Sequence, residues 1–154
     1  MKTSGDIAGV ILAGGRGERM GGLAKAFLEV GGGRAIDRLL TVYQRLFDEI
    51  VVAVRDREGF EDFGVTVAVD QVAIRSSLTG IHAGLWASKA PFVFVAPCDM
   101  PFLQPGLVQS LLAEVDGEAD VVIPLKENGR VEPLCAVYSK SCLPHIKKQL
   151  EGGD

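Results

Sequence analysis

A fully apolar run, Ile7-Ala8-Gly9-Val10-Ile11-Leu12, stops at Gly14-Gly15 and passes into a glycine-rich loop carrying three cations, Arg16, Arg19 and Lys25. Apolar at every position, the run reads as a central strand of a parallel sheet, covered on both faces. The loop reads as an anion cradle, because backbone N–H groups can close on a phosphate where no Cβ intervenes. An ordinary strand-to-helix turn is the plain alternative, but such a turn has no need of so many glycines and cations together. Two familiar glycine motifs fail. The P-loop requires Lys and then Ser or Thr directly after its last glycine. Gly17 and Gly22 have that spacing, yet Leu23 and Ala24 follow. The dinucleotide fingerprint begins at Gly15-Arg16-Gly17, but Met20 stands where its third glycine belongs.

Beyond the loop, strand and helix patterns alternate. Ala35, Ile36, Leu39, Leu40, Tyr43, Leu46 and Phe47 recur at helical spacing and predict an amphipathic helix over 35–47. Buried strands are predicted over 50–54 and 65–69, the second running into Asp70, and a helix over 79–88. A strand over 92–96 leads into Pro97-Cys98-Asp99-Met100-Pro101, and a helix over 105–115 opens on Pro105. Strands over 120–124 and 133–138 and a helix over 140–150 complete the series. The alternation predicts an α/β fold with a mostly parallel central sheet covered on both faces. Such sheets bind ligands at the carboxyl ends of their strands. The glycine loop, Asp70 and Asp99 each follow such an end, so one edge can gather them.

A chain of 154 residues is long enough for one domain with a proper core. A net charge of -4 excludes a general nucleic-acid-binding surface, so an anionic ligand must be met by a local cluster of cations. Cys98, Cys135 and Cys142 are odd in number and form no Cys-x-x-Cys, which points to reduced thiols and a cytoplasmic location rather than a disulfide framework or zinc site. The first apolar run is short and broken by Gly9, and is read as neither a signal peptide nor a membrane span.

Asp99 is the sharpest single candidate. Prolines on both sides stiffen the turn that presents it, and it lies too far upstream to cap the helix at 105. A carboxylate on a rigid turn suits magnesium, which takes hard oxygen ligands and shares them with phosphates. Asp70 is equally a turn residue or a ligand contact. Lys25 and Arg19 can neutralise phosphates and a pyrophosphate leaving group, whereas Arg16 reads as solvated. The segment Ser76-Ser77-Leu78-Thr79-Gly80-Ile81 opens a helix whose N-terminus either meets a ligand or is capped by Ser77. His82 and His145 have no partner at metal or triad spacing, and Cys98 reads as a small buried residue rather than a nucleophile.

The series Leu12-Ala13-Gly14-Gly15-x-Gly-x-Arg19-Met20-Gly21-Gly22-x-x-Lys25 resembles the signature of the molybdenum cofactor guanylyltransferases, the MobA family. The resemblance continues through the Asp70 turn, Leu78-Thr79-Gly80-Ile81, Pro97-Cys98-Asp99-Met100-Pro101-Phe102 and Arg130-x-Glu132-Pro133-Leu134, in order over residues 9–138. The loop alone marks only the wider sugar-nucleotide pyrophosphorylase type. The resemblance implies a three-layer Rossmann-like nucleotidyltransferase that joins GMP from GTP to the terminal phosphate of molybdenum-carrying molybdopterin and releases pyrophosphate. It implies Arg19, Lys25 and Asp99 as catalytic residues, with Asp99 holding Mg2+. The implied nucleotide contacts are Leu12, Ala13, Gly14, Gly15, Lys25, Asp70, Gly80 and Asp99. Cofactor-delivery or GTP-binding accessory proteins are the partners expected besides GTP and molybdopterin. No nucleophile–base pair is needed, since attack at the α-phosphorus requires alignment and charge neutralisation.

The chain departs from the family pattern in carrying Ala24 before the Lys where Asp is common, Ala53 in place of a second-strand Asn, and Ser76-Ser77 in place of Gly-Pro. It is also shorter than usual. The expected organisation is therefore a single nucleotidyltransferase domain over 1–154 without the usual C-terminal strand and helix. Arg130, Glu132 and Pro133, after the fifth predicted strand, are the residues expected on the pterin side. Two rivals are a CTP-dependent cytidylyltransferase and a catalytically incomplete GTP-binding module for cofactor assembly. Cytidylyltransferases usually carry Leu-Ala-Ala-Gly where this chain has Leu12-Ala13-Gly14-Gly15, and the second glycine is read as room for a purine.

Overall fold

The computed structural model describes residues 5–13, 19–20, 23–24, 29–30, 33–55, 64–69, 77–98, 100, 103–116 and 118–152. In chain order they form β1 (Ile7–Leu12), β2 (Arg19–Met20), β3 (Leu23–Ala24), β4 (Glu29–Val30), β5 (Gly33–Arg34), α1 (Ala35–Leu46), β6 (Ile50–Val54), β7 (Thr66–Val69), α2 (Ser77–Ala87), β8 (Phe92–Pro97), α3 (Pro105–Ala113), β9 (Val121–Val122), β10 (Ala136–Ser139) and α4 (Leu143–Glu151). Six strands make one sheet in the order β7-β6-β1-β8-β10-β9. β7, β6, β1 and β8 are parallel. β10 runs antiparallel to both β8 and β9. The expected mostly parallel, three-layer arrangement is therefore present, with β1 in the interior of the sheet.

Alternation along β1 divides the core. Ile7 and Ile11 face one cluster, built with Ile36, Leu39, Tyr43 and Phe47 of the α1 segment and Val108 and Leu111 of α3. Ala8, Val10 and Leu12 face the other, built with Ile81 and Leu85 of α2 and Ile146 and Leu150 of α4. Burial on both faces is why β1 is apolar at every position.

α1 buries Ile36, Leu39, Leu40, Tyr43 and Leu46 on one stripe, with Asp37 in its first turn and Arg45 in its last, as the helix dipole favours. Tyr43 is the hub of its face. Its ring lies 5.2 Å from Phe47 and 6.0 Å from Phe94, and its hydroxyl donates to the Val10 carbonyl at 2.9 Å. At the amino-terminal end of the sheet, the Glu49 carboxylate accepts the N–H groups of Lys89 (2.8 Å) and Ala90 (3.2 Å). Lys140 Nζ donates to the Ser88 carbonyl nearby. These contacts tie the turn between α2 and β8 to two segments remote in sequence.

Several boundaries differ from the sequence expectation, for identifiable reasons. The helix expected over 140–150 opens as a 3-10 turn at Lys140–Cys142, with Leu143 N–H bonded to the Lys140 carbonyl, before α4 begins. Pro144 has no N–H to give Lys140 in an α-helical bond, so one continuous α-helix cannot form there. Strand 120–124 contracts to Val121–Val122 and strand 133–138 becomes Ala136–Ser139. Pro124 and Pro133 lack the ladder donor at those margins. Between them, Leu125 and Val131 form an isolated antiparallel bridge in an exposed hairpin. α2 starts at Ser77 rather than at 79. Among the described residues, no helix is long and apolar enough to cross a membrane.

Candidate functional site

Strand register decides what the carboxyl edge can gather. Leu12 lies between Ala53 of β6 and Pro97 of β8, and Val54 pairs with Val69. The ends of β1, β6, β7 and β8 are thus level, and position 13 onward, Arg55, position 70 and position 98 onward all follow from one edge. Gly14, Gly15, Lys25, Asp70 and Asp99 lie outside the described residues.

Of the expected nucleotide contacts, Leu12, Ala13 and Gly80 are brought together. A Cβ built on Gly80 would lie 3.1 Å from Leu12 Cδ2 and 4.0 Å from Ala53 Cβ. The start of α2 therefore rests on the ends of β1 and β6. Ala53 is 1% exposed beneath this contact, so the position where the family commonly has Asn is here part of the apolar packing. The backbone at Leu12 and Ala13 is already engaged. Ala13 N–H donates to the Ala53 carbonyl at 2.8 Å, and the Leu12 carbonyl accepts from Cys98 N–H at 2.9 Å. What Leu12 has left to offer a base is its carbonyl's second lone pair.

Arg19 belongs to a short hairpin that the sequence reading did not anticipate. β2 pairs antiparallel with β3, with Arg19 opposite Ala24 and Met20 opposite Leu23. The register sets Arg19 across from Ala24, the residue that precedes Lys25 in sequence. Arg55 was also missed. It directly follows β6 at the level edge, and its Nη1 is shielded from solvent. The signal was available, since Arg55 follows a strand just as Asp70 and Asp99 do, although β7, expected to be buried, is a partly exposed edge strand because only β6 flanks it.

The residues on either side of Asp99 are anchored by backbone hydrogen bonds. Cys98 N–H is held by Leu12, and the Pro97 carbonyl accepts Met100 N–H at 3.2 Å, closing a turn at the end of β8. By its sequence position Asp99 falls between Cys98 and Met100, and a carboxylate is the hard oxygen donor that magnesium prefers, so the donor chemistry fits. Among the described residues, no group of three His, Cys, Asp or Glu could hold a metal elsewhere.

Thiol chemistry finds no support. Cys98 and Cys135 are buried, as expected for Cys98. Burial pushes the thiols of Cys135 and Cys142 above their ordinary range, away from the reactive thiolate. The residues expected on the pterin side fall in the hairpin between β9 and β10, two strands away from β1. There Glu132 pairs with Lys126 at 3.4 Å and the Pro133 carbonyl accepts the Tyr138 hydroxyl at 2.5 Å. Burial pushes the Tyr138 phenol up to about 12.

His82 is structural. It is 7% exposed on α2, and burial first, then Lys147 of α4, lowers its pKa. Above the ordinary value near 6.5 both folded and unfolded chains carry neutral imidazole, and the fold keeps its full stability. As pH falls below that value the unfolded chain takes up the proton first, so stability declines toward the lower folded pKa. The expected result is a melting temperature that drops between pH 7 and pH 5.5, with a shallower drop in His82→Gln. Parallel profiles for the two proteins would contradict this role.

Comparison with known proteins agrees with the fold. Residues 9–154 match the model of the MobA-like NTP transferase domain. The chain is 37% identical over 147 residues to a molybdenum cofactor guanylyltransferase of Desulfosudis oleivorans, covering 96% of this chain and 72% of that protein. It is 39% identical over 154 residues to a probable molybdenum cofactor guanylyltransferase of Methanosarcina mazei, covering 94% of this chain and 68% of that protein. Among solved structures it resembles molybdopterin-guanine dinucleotide biosynthesis protein A from Archaeoglobus fulgidus, with a TM-score of 0.79 and 26% identity over 95% of this chain and 74% of that one. On these likenesses the chain belongs to the MobA-like NTP transferase domain family.

Proposed function

We propose that this chain is a magnesium-dependent nucleotidyltransferase. It would transfer GMP from GTP to the terminal phosphate of molybdenum-carrying molybdopterin and release pyrophosphate. The observation that carries the reading is the level ending of β1, β6, β7 and β8, from which the glycine loop, Arg55, Asp70 and Asp99 all continue. Family membership and the names of the relatives supply the guanine and pterin parts.

In this reading the loop from Gly14 to Lys25 cradles the triphosphate, with Arg19 and Lys25 neutralising the charge that develops on leaving pyrophosphate. Leu12, Ala13, Gly15, Asp70 and Gly80 form the nucleoside side. Asp99 holds magnesium, which when bound supplies further charge neutralisation at the phosphates. The protein's share of the work is alignment, because in-line displacement at phosphorus asks for no protein nucleophile.

Pyrophosphate release from GTP, CTP, ATP and UTP, each with molybdopterin and magnesium, tests the reading. Release with GTP alone supports it, and release with CTP alone would transfer the chain to the cytidylyltransferases. Thermal stabilisation by GTP with no release would make it a binding module. Lys25→Ala is expected to weaken GTP by about 10–100-fold, the worth of a charge-assisted phosphate contact, and guanosine hardly at all. Equal losses for both ligands would remove Lys25 from the phosphates.

A further inference from the structure

We infer that Gly84 is a positioning residue for the nucleotide edge, acting through the seat of α2 on β1. The inference rests on the functional reading above and adds to it a residue one helical turn beyond Gly80 that is not itself among the expected ligand contacts.

α2 carries glycine at 80 and again at 84, one turn apart, in a helix where glycine is costly. Both meet the same strand. Gly80 faces Leu12, and a Cβ on Gly84 would lie 2.5 Å from Val10 Cγ1, 2.9 Å from Cγ2 and 3.3 Å from Cβ. Four helical residues rise about 6 Å and two strand residues about 6.6 Å, so the two contacts lock helix and strand in matching axial register. The helix runs from the carboxyl edge back along β1, and its beginning is the part that reaches the nucleotide.

Val10 cannot yield. It is fully buried and lies between Val51 and Val95 in the parallel ladder. Its two Cγ atoms fill two of the three staggered positions and both clash, so any other χ1 rotamer still leaves one Cγ against the added methyl, whereas the Cβ at 3.3 Å needs only a slight adjustment. With a methyl at 84 the helix must lift by about 1 Å to regain ordinary contact distance. A helix lifts as a unit, so Gly80 leaves Leu12 and the nucleoside side of the edge opens. Gly9 supplies the control. Its added Cβ would meet Phe47 at 2.5 Å and Tyr43 at 2.6 Å, on the opposite face of the same strand.

The test measures GTP affinity with magnesium for the wild-type chain, Gly84→Ala, Val10→Ala/Gly84→Ala and Gly9→Ala, each well below its melting temperature. Gly84→Ala is expected to weaken GTP at least about tenfold, and the double variant to recover to within about threefold of wild type, because trimming Val10 restores the seat. Gly9→Ala is expected to lose thermal stability while keeping its GTP affinity. Wild-type affinity in Gly84→Ala overturns the inference, as does an equal loss in Gly9→Ala or a double variant that stays weak. Should Gly84→Ala fail to fold, the double variant carries the test by the same criterion. A wild-type chain that binds no GTP overturns the functional reading instead. Amide exchange across α2 then judges the seat itself: faster in Gly84→Ala and restored in the double variant if the seat is real, unchanged if it is not.

Discussion

Asp99→Asn is expected to lower magnesium-dependent nucleotidyl transfer by at least about 100-fold, the scale of losing one preorganised electrostatic contact in the transition state. The substitution is nearly isosteric, and it exchanges a charged hard oxygen ligand for a neutral amide that binds magnesium poorly. The fold has independent support at this point. Cys98 N–H bonds to the Leu12 carbonyl and Met100 N–H to the Pro97 carbonyl, and neither bond uses the carboxylate. Melting temperature and circular dichroism should therefore stay close to wild type while turnover collapses. Magnesium titrations of both proteins provide the check. Undiminished turnover in Asp99→Asn at low magnesium would end the metal assignment, and loss of folding would mean that the carboxylate serves the turn.

Tyr43→Ala is the substitution expected to cost most stability, about 3–5 kcal/mol, the range for deleting a buried aromatic ring. Tyr43 is fully buried between Phe47 and Phe94, and its hydroxyl bonds to the Val10 carbonyl across the core. A loss of that size is a large part of the roughly 5–15 kcal/mol that holds a domain together. Tyr43→Phe separates the two contributions, since it keeps the ring and deletes only the hydrogen bond, for about 1 kcal/mol. Urea unfolding of both variants, read at the midpoint with slopes compared, is the measurement. Equal costs for the two would show that the ring itself contributes little. The same burial holds the Tyr43 phenol well above its ordinary range, so no titration of this group intrudes at neutral pH.

Much of this architecture was legible before any coordinates. β1, α1, β6 and β8 lie within a residue of where apolar periodicity put them, because each buries a regular stripe or two full faces. Elements at the far end of the sheet were less legible. β9 and β10 are short, flanked by Pro124 and Pro133, and paired to strands remote in sequence, so local pattern could not set their limits. The same holds for Glu49, whose carboxylate closes a turn forty residues away. At the site, the alternating pattern and the edge rule selected Asp70, Asp99 and the glycine loop, but passed over Arg55, a cation in the equivalent place after β6.

The sequence by itself determined the α/β class, the order of the principal elements and the chemistry available to the edge. Those depend on side-chain period, on turn residues and on which charged groups follow which strands. Only the tertiary structure decided that four strand ends are level, that β10 runs against its neighbours and that Ala53 is sealed under the start of α2. It also decided that Gly84 must stay bare because Val10 lies beneath it. Each of these is a distance between residues far apart in the chain, set by how two finished elements pack together.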